Sequence, residues 1–307
     1  MTKELFSQTA KLEEELKRER QRRLNVSGVL RILGVSRSGY HSFKERESNT
    51  DKEPSRKDKI KKLILDIYLN SKQIYGAPKI TKELEKMGIK VAEKTVGNYM
   101  REMKIKAHYV KPFTKTTIDP DFDNSLKNLL NEQFNPEKPN AIWCSDITYI
   151  HTKTGFAYLT SIMDLFSRRI IAWRLSETLE AKWVVECVHE AKKSRRTTKP
   201  LVLHSDRGSQ YVCGSYLEAL NKIMPSYSQK ASPWQNACIE SFHALIKREW
   251  LYCFNIKDFG HAYKLVFEYI EAFYNTVRSH SHCGYLSPQE YEEHYYAQLK
   301  NTLAKVG

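Results

Sequence analysis

No stretch of the 307-residue chain approaches the ~20 consecutive apolar residues that a membrane helix requires, and its first residues are charged rather than signal-like. These absences argue against a membrane partner and against export, so a cytoplasmic location is expected. Cysteine is scarce too. The six present, Cys144, Cys187, Cys213, Cys238, Cys253 and Cys283, include no CxxC pair, which argues against a zinc ribbon or a disulfide framework and fits a reducing compartment. His280, His282 and Cys283 cluster without a fourth ligand and read as a polar turn rather than a metal site.

What the chain has is positive charge, unevenly placed. The formal net charge is +14, and residues 1–120 hold 28 of the 50 Lys and Arg against only 16 of the 36 Asp and Glu. The front of the chain is therefore polyanion-seeking, because Lys and Arg displace counterions condensed on nucleic-acid phosphates. A solvated basic surface has the same composition, so charge needs support from pattern.

Residues 1–24 read as an N-terminal helix, with Leu5, Leu12, Leu16 and Leu24 near one face, and suit either an exposed helix or the tail of a coiled coil. Residues 25–50 outline a helix-turn-helix: a short apolar helix, a break at Gly34, and a second helix capped by Ser36 with Arg37 and Lys44 on its polar side. A polar linker broken by Pro54 follows. Residues 57–106 form a second helical module. In it Ile80, Leu84 and Met87 face Val96 and Met100, leaving Lys94 and Thr95 at the start of a candidate recognition helix. Residues 107–138 read as a linker with a short helical stretch near 124–133.

From 139 to 295 the periodicity becomes that of a mixed domain. Runs 141–150, 155–164 and 167–176 are short, rich in β-branched and aromatic residues, and predict an antiparallel meander. A helix at 180–193 leads to a strand at 200–206 parallel to the first. A helix near 214–222, a strand at 226–229 and a helix at 236–250 complete the set, with 296–307 as a tail. The fold expected is α/β: a ribonuclease-H-like core with a mixed five-stranded sheet and helices, preceded by all-α helix-turn-helix modules. In that layout the first strand lies beside the fourth, bringing Asp146 and Asp206 to one sheet edge.

The segments WCSDITYI (143–150), HSDRGSQY (204–211) and WQNACIESFHALIKREWL (234–251) resemble the transposases of bacterial insertion sequences that share the catalytic core of retroviral integrases. The likeness is to the second-frame product of elements that use frameshifting. LGVSRSGY (33–40), YGAPKI (75–80) and YNTVRSHSHCGYLSPQEY (274–291) extend it, in order, over nearly all of the chain beyond residue 25. The resemblance implies a catalytic and metal-binding triad of Asp146, Asp206 and Glu240. Joining chemistry at phosphorus needs an activated oxygen nucleophile and a neutralised leaving oxygen, which two ions ~3.5–4 Å apart supply when carboxylates hold them. With DNA bound, two magnesium ions per site are expected, manganese being an alternative, with Asp146 bridging. Lys247, two turns beyond Glu240, would reach a DNA phosphate. The loop bearing Lys230, Trp234 and Asn236 should contact DNA near the cut.

Two departures from the family pattern stand out. Only 33 residues separate Asp206 from Glu240, slightly fewer than usual, which a shortened turn between Asn221 and Tyr227 would absorb; and Gln235 stands where relatives generally carry Asp. The activity implied is metal-dependent nicking that exposes a 3′ hydroxyl, followed by strand transfer. The implied partners are terminal inverted repeats and target DNA, further copies of the chain in a DNA-bound multimer at the nucleoid, and an upstream-frame partner or fusion. A DNA-binding regulator without catalysis and a same-fold structure-selective nuclease are the alternatives.

Overall fold

The computed structural model describes residues 2–18, 24–48, 55–108, 126–130, 133–196, 201–229 and 232–304. The chain divides into two compact units, Met1–Leu63 and Ile64–Gly307.

In the first unit, α1 (Thr2–Arg18), α2 (Val26–Ile32) and α3 (Arg37–Ser48) enclose a small core of Phe6, Leu30, Tyr40 and Phe43. Asn25 caps α2 by accepting from the Gly28 amide, and the Ser36 hydroxyl accepts from the Gly39 amide, as its position predicts. A side chain at Gly39 would meet the Phe6 ring at 3.1 Å, so the small residue lets α1 approach α3. Of the described α1 leucines in the expected stripe, Leu5 is only half-buried. Leu12 is exposed and Phe6 and Thr9 point inward, because the aromatic ring fills the gap between α2 and α3 better than a leucine row along the helix. The helix is thus packed rather than a free arm.

The second unit begins with the end of α4 (Arg56–Asn70), then α5 (Ala77–Lys86) and α6 (Glu93–Glu102). Ile64, Ile80, Leu84, Val96 and Met100 are buried between them. Met87 is not: it is the residue that closes α5 and is 57% exposed, since the chain turns away at Gly88 in a left-handed conformation. The turn before α5 docks on the following domain. The Ser279 amide donates to Tyr75 Oη at 2.6 Å, Lys72 pairs with Glu268 at 2.5 Å, and Lys86 Nζ donates to the Tyr285 carbonyl.

That domain is built on a five-stranded sheet of order β3-β2-β1-β4-β5, formed by β1 (Ile142–Thr152), β2 (Gly155–Asp164), β3 (Ile170–Ser176), β4 (Val202–Ser205) and β5 (Met224–Tyr227). The meander β1-β2-β3 is antiparallel, and β4 and β5 are added parallel after crossovers. Helices α7 (Ala181–Arg195), α8 (Ser209–Val212) and α9 (Gly214–Leu220) cover the sheet face that carries Trp143, Ile162, Ala172 and Leu203. The alternation of a strand turns Asp146 and Ser161 to the other face, where α10 (Ala237–Glu249) lies. Helix α11 (Phe259–Tyr269), a π-helical segment at Ile270–Tyr274, and α12 (Pro288–Ala304) close the domain.

Three expectations shift. The last strand starts two residues earlier than the sequence pattern suggested, since a three-residue connection from α9, with Asn221 at positive φ, reaches the sheet directly. Residues 126–130 are not helical. They lie along β5, with the Tyr227 amide donating to the Lys127 carbonyl and the Ser226 hydroxyl accepting from the Leu129 and Leu130 amides. The strand edge thereby gains partners that a helix would have kept for itself. Finally, α12 runs through residue 296 to Ala304, held by Glu292, which is buried and receives Arg195, Arg169 and Ser167. No helix among the described residues is long and apolar enough to cross a membrane.

At the end of β2, Asp164 is fully buried and accepts from the Asn140 and Phe166 amides. Burial pushes its carboxyl up to about 6 against the opposing charge of Arg195. A carboxyl raised in the folded state stabilises below its unfolded value and loses that contribution as pH rises through the folded one. Relative to Asp164→Asn, the wild type should therefore lose up to about 3 kcal/mol between pH 4 and 7. Tm measured for both across that range would show the gap moving in the variant's favour; a gap that moves the other way refutes the assignment. Tyr75→Phe strands the buried Ser279 amide and should cost roughly 1–3 kcal/mol in urea unfolding with an unchanged m value.

Candidate active site

The register of the central parallel pair sets the site. Ile142, Trp143 and Cys144 pair with Val202, Leu203 and His204. Asp146 and Asp206 each follow the last paired residue of their segment by two positions, although 60 residues separate them in the chain. Asp206 is half-buried just past the end of β4, and its Oδ1 accepts from the Gly208 amide at 3.0 Å. A Cβ at position 208 would press on that oxygen at 3.1 Å, so glycine keeps the carboxylate in place.

Helix α10 brings the third acid. Ile239, Phe242 and Ile246 are buried and anchor it, placing Glu240 in the first turn. Glu240 is exposed on one side, and partial burial together with the charge of Asp146 raises its carboxyl above the ordinary range. Tyr211, fully buried beneath β1 and bonded to Ser145, feels both Asp146 and Asp206, which add to burial in raising its hydroxyl. Lys247, half-buried on the same helix, is lowered by burial while Asp146 opposes the shift.

Between these groups sits a residue the sequence reading missed. His243 is buried on α10, one turn beyond Glu240, with Nδ1 3.2 Å from Asp146 Oδ2 and Nε2 3.2 Å from Ser161 Oγ. A ring that donates from Nδ1 to the carboxylate can accept the Ser161 hydroxyl at Nε2, and so holds Asp146 against β2. The signal was available: an i, i+3 step from Glu240 puts position 243 on the same helix face.

As a donor set, three hard-oxygen carboxylates suit a magnesium-like ion, and the charges of two of them, Asp146 and Glu240, are coupled. They border one region without being gathered into a cage: among the described residues, no group of three or more His, Cys, Asp or Glu is close enough to hold a metal. Oδ2 of Asp146 is engaged by His243 and Oδ1 of Asp206 by the Gly208 amide.

The flanking residues divide. Trp234 is 57% exposed on the 3-10 turn Pro233–Asn236 that precedes α10. Asn236 is buried and donates to the Ser145 carbonyl, so it ties that turn to β1. Lys230 lies outside the described residues. Gln235 is buried, and its Oε1 accepts from the Gln229 amide at 2.6 Å, an acceptor role that an acid could also fill. In the helical modules Arg37 and Lys94 are exposed and Thr95 is partly so. Lys44 instead pairs with Glu13 of α1 at 2.6 Å. Asp164 and Glu249, other acids of the domain, are held by the Asn140 and Phe166 amides and by Arg278, respectively. The His280–Cys283 turn bonds to the chain after β2, through His282 to Phe166 O and Cys283 to Ser167 O.

Comparison with known proteins agrees with this layout. Two family models described as integrase core domain match residues 136–233 and 221–288, and one described as HTH-like domain matches residues 55–113. The transposase InsF for insertion sequence IS3A of Escherichia coli (strain K12) is 31% identical over 274 residues, which are 89% of this chain and 95% of that protein. The 31 kDa protein of insertion element IS600 of Shigella sonnei is 32% identical over 272 residues, 87% and 98% of the two chains. The catalytic core domain of BIV integrase overlays with a TM-score of 0.39 and 18% identity, over 52% of this chain and 99% of that one.

Replacing Asp146 by Asn removes the charge that helps raise Glu240. The Glu240 carboxyl should then titrate lower, while still above an ordinary glutamate because burial remains. Carbon-detected NMR titration in EDTA reads this directly; an unmoved Glu240 would mean that the two acids do not share a site.

Proposed function

The chain belongs to the insertion-sequence transposases of the IS3 family, built on an integrase-type core, and we propose that it nicks the ends of its element and joins them to target DNA. The observation that carries this reading is the parallel pairing of β1 with β4, which brings Asp146 on β1 and Asp206 just past β4 both within the field of Tyr211, with Glu240 on α10 in the field of Asp146. Divalent ions, two magnesium or manganese, held by Asp146, Asp206 and Glu240 would neutralise charge on the phosphodiester and polarise the attacking oxygen.

The remaining roles belong to this chain's own side chains. His243 orients Asp146. Lys247 supplies positive charge to a phosphate beside the acids, the field of Asp146 favouring that charge against the opposing effect of burial. Trp234, exposed at the entrance to α10, offers a stacking face to an end base. Water opens the first phosphodiester, with the P–O3′ bond breaking to free a 3′ hydroxyl; that hydroxyl then forms the new P–O bond in target DNA as the second leaving oxygen departs. No protein nucleophile is needed. Arg37, Lys94 and Thr95 of the helical modules would contact the terminal repeats, and two ends held together imply more than one copy of the chain on the DNA.

The test is strand transfer on duplex oligonucleotides carrying the element's own ends with magnesium. Asp206→Asn should lower joining roughly 1000-fold, the scale of several kcal/mol of lost charge stabilisation, while end binding persists. Undiminished joining would refute the carboxylate mechanism, and nicking without any joined species would identify a nuclease.

A further inference from the structure

Lys247 also lines a surface cavity of about 320 Å³ that the roles above do not use. Its lining includes Tyr149, His151 and Lys153 from β1 and its hairpin, Lys247 from α10, and Tyr252 and Phe254 from the turn after α10. Tyr149 and Tyr252 are each about half exposed, at 48% and 49%, and Phe254 is 39% exposed. Leu251 and Ile256 are buried and form an apolar floor. The Lys247 ammonium stands 4.6 Å from the centre of the Tyr149 ring.

Three features of this cavity act together. Exposed aromatic rings converge on one concavity, where scattered single residues would need no explanation. No Asp or Glu lines it, whereas two lysines do, so its charge suits a phosphate-bearing ligand. Lys247 is common to the cavity wall and to the field of Asp146, so a strand whose phosphate meets Lys247 has its neighbouring nucleotide at the cavity mouth. The volume is at the small end of ligand pockets, suited to one nucleobase rather than a duplex.

We propose that this cavity is a base-binding subsite: one unpaired nucleotide of a DNA strand adjoining the reacting phosphate inserts its base among Tyr149, Tyr252 and Phe254, its phosphates resting on Lys153 and Lys247. The inference rests on the DNA-joining reading and adds to it a place for a base taken out of the stack. Unpairing costs a few kcal/mol, and stacking on an aromatic ring together with cation–π contact offsets that cost without sequence preference.

The experiment measures fluorescence polarisation of two labelled single strands on the full-length protein in EDTA, one a dT12 oligomer and the other an abasic 12-mer with the same phosphates. Tyr252→Ala and Phe254→Ala should each weaken dT12 binding about tenfold, the order of one lost base–aromatic stack, and leave abasic binding unchanged. Tyr252→Phe, which keeps the ring, should retain wild-type affinity. Lys153→Ala should weaken both strands equally. Equal loss of both oligomers in Tyr252→Ala, or no loss in either, overturns the subsite. Because binding is read without metal, absent strand transfer in the wild type would count against the enzymatic reading alone.

Discussion

Everything in the catalytic domain depends on how β4 lies against β1. Six backbone positions in parallel register lead to two carboxylates, Asp146 further along β1 and Asp206 just past the end of β4. Side chains alternate along a strand, so a slip of one residue would send Asp206 to the α7 face while Asp146 stayed where it is. What prevents the slip is packing. Trp143 and Leu203 are wholly buried against α7 and α9 on one face, and no register one step away keeps both inside. Register is thus a hydrophobic decision with an electrostatic consequence.

The part of this that the sequence displays is the part governed by short periods. Alternating apolar strands, the order of elements and the crossover before PLVLHSD are local signals, and they locate Asp146, Asp206 and Glu240 on the elements that hold them. Less legible were features decided by packing between distant segments. Nothing local separates Met87 from Ile80 and Leu84, yet the turn at Gly88 leaves only the methionine outside. Residues 126–130 had weak helical character, and an open strand edge drew them into extended pairing instead. Asn236 read as a polar group facing DNA, while the Ser145 carbonyl that it satisfies lies 91 positions earlier. His243 was overlooked because histidine on an amphipathic helix has many ordinary uses, and its partners come from two other strands.

Charge counting is the other place where sequence and structure part. The front of the chain carries most of the net positive charge, which invites the view that all of it faces DNA. Several of those lysines face protein instead. Lys72 pairs with Glu268 and stands over the Trp250 ring, Lys86 reaches the Tyr285 carbonyl, and Lys44 is engaged by Glu13. Lys79 goes further: its ammonium is enclosed near Arg278 and Glu249, and burial lowers it to about 8. Arg37 and Lys94 remain exposed at the starts of their helices.

Two of the inward lysines meet the end of α10, Lys72 over the ring of Trp250 and Lys79 in the field of Glu249. Its first turn carries Glu240, and one turn on, His243 holds Asp146; its last turn carries Glu249, which receives Arg278 at 2.6 and 2.7 Å and the Tyr269 hydroxyl. Lys79 adds a like charge beside Arg278, and Tyr75 accepts from the amide next to that arginine in sequence. A buried ion pair is costly to break on one side only, so the end of α10 is fixed wherever the Tyr75–Lys79 turn is docked. The helix is about four turns long, with Glu249 in the field of Lys79 at one end and Glu240 at the other.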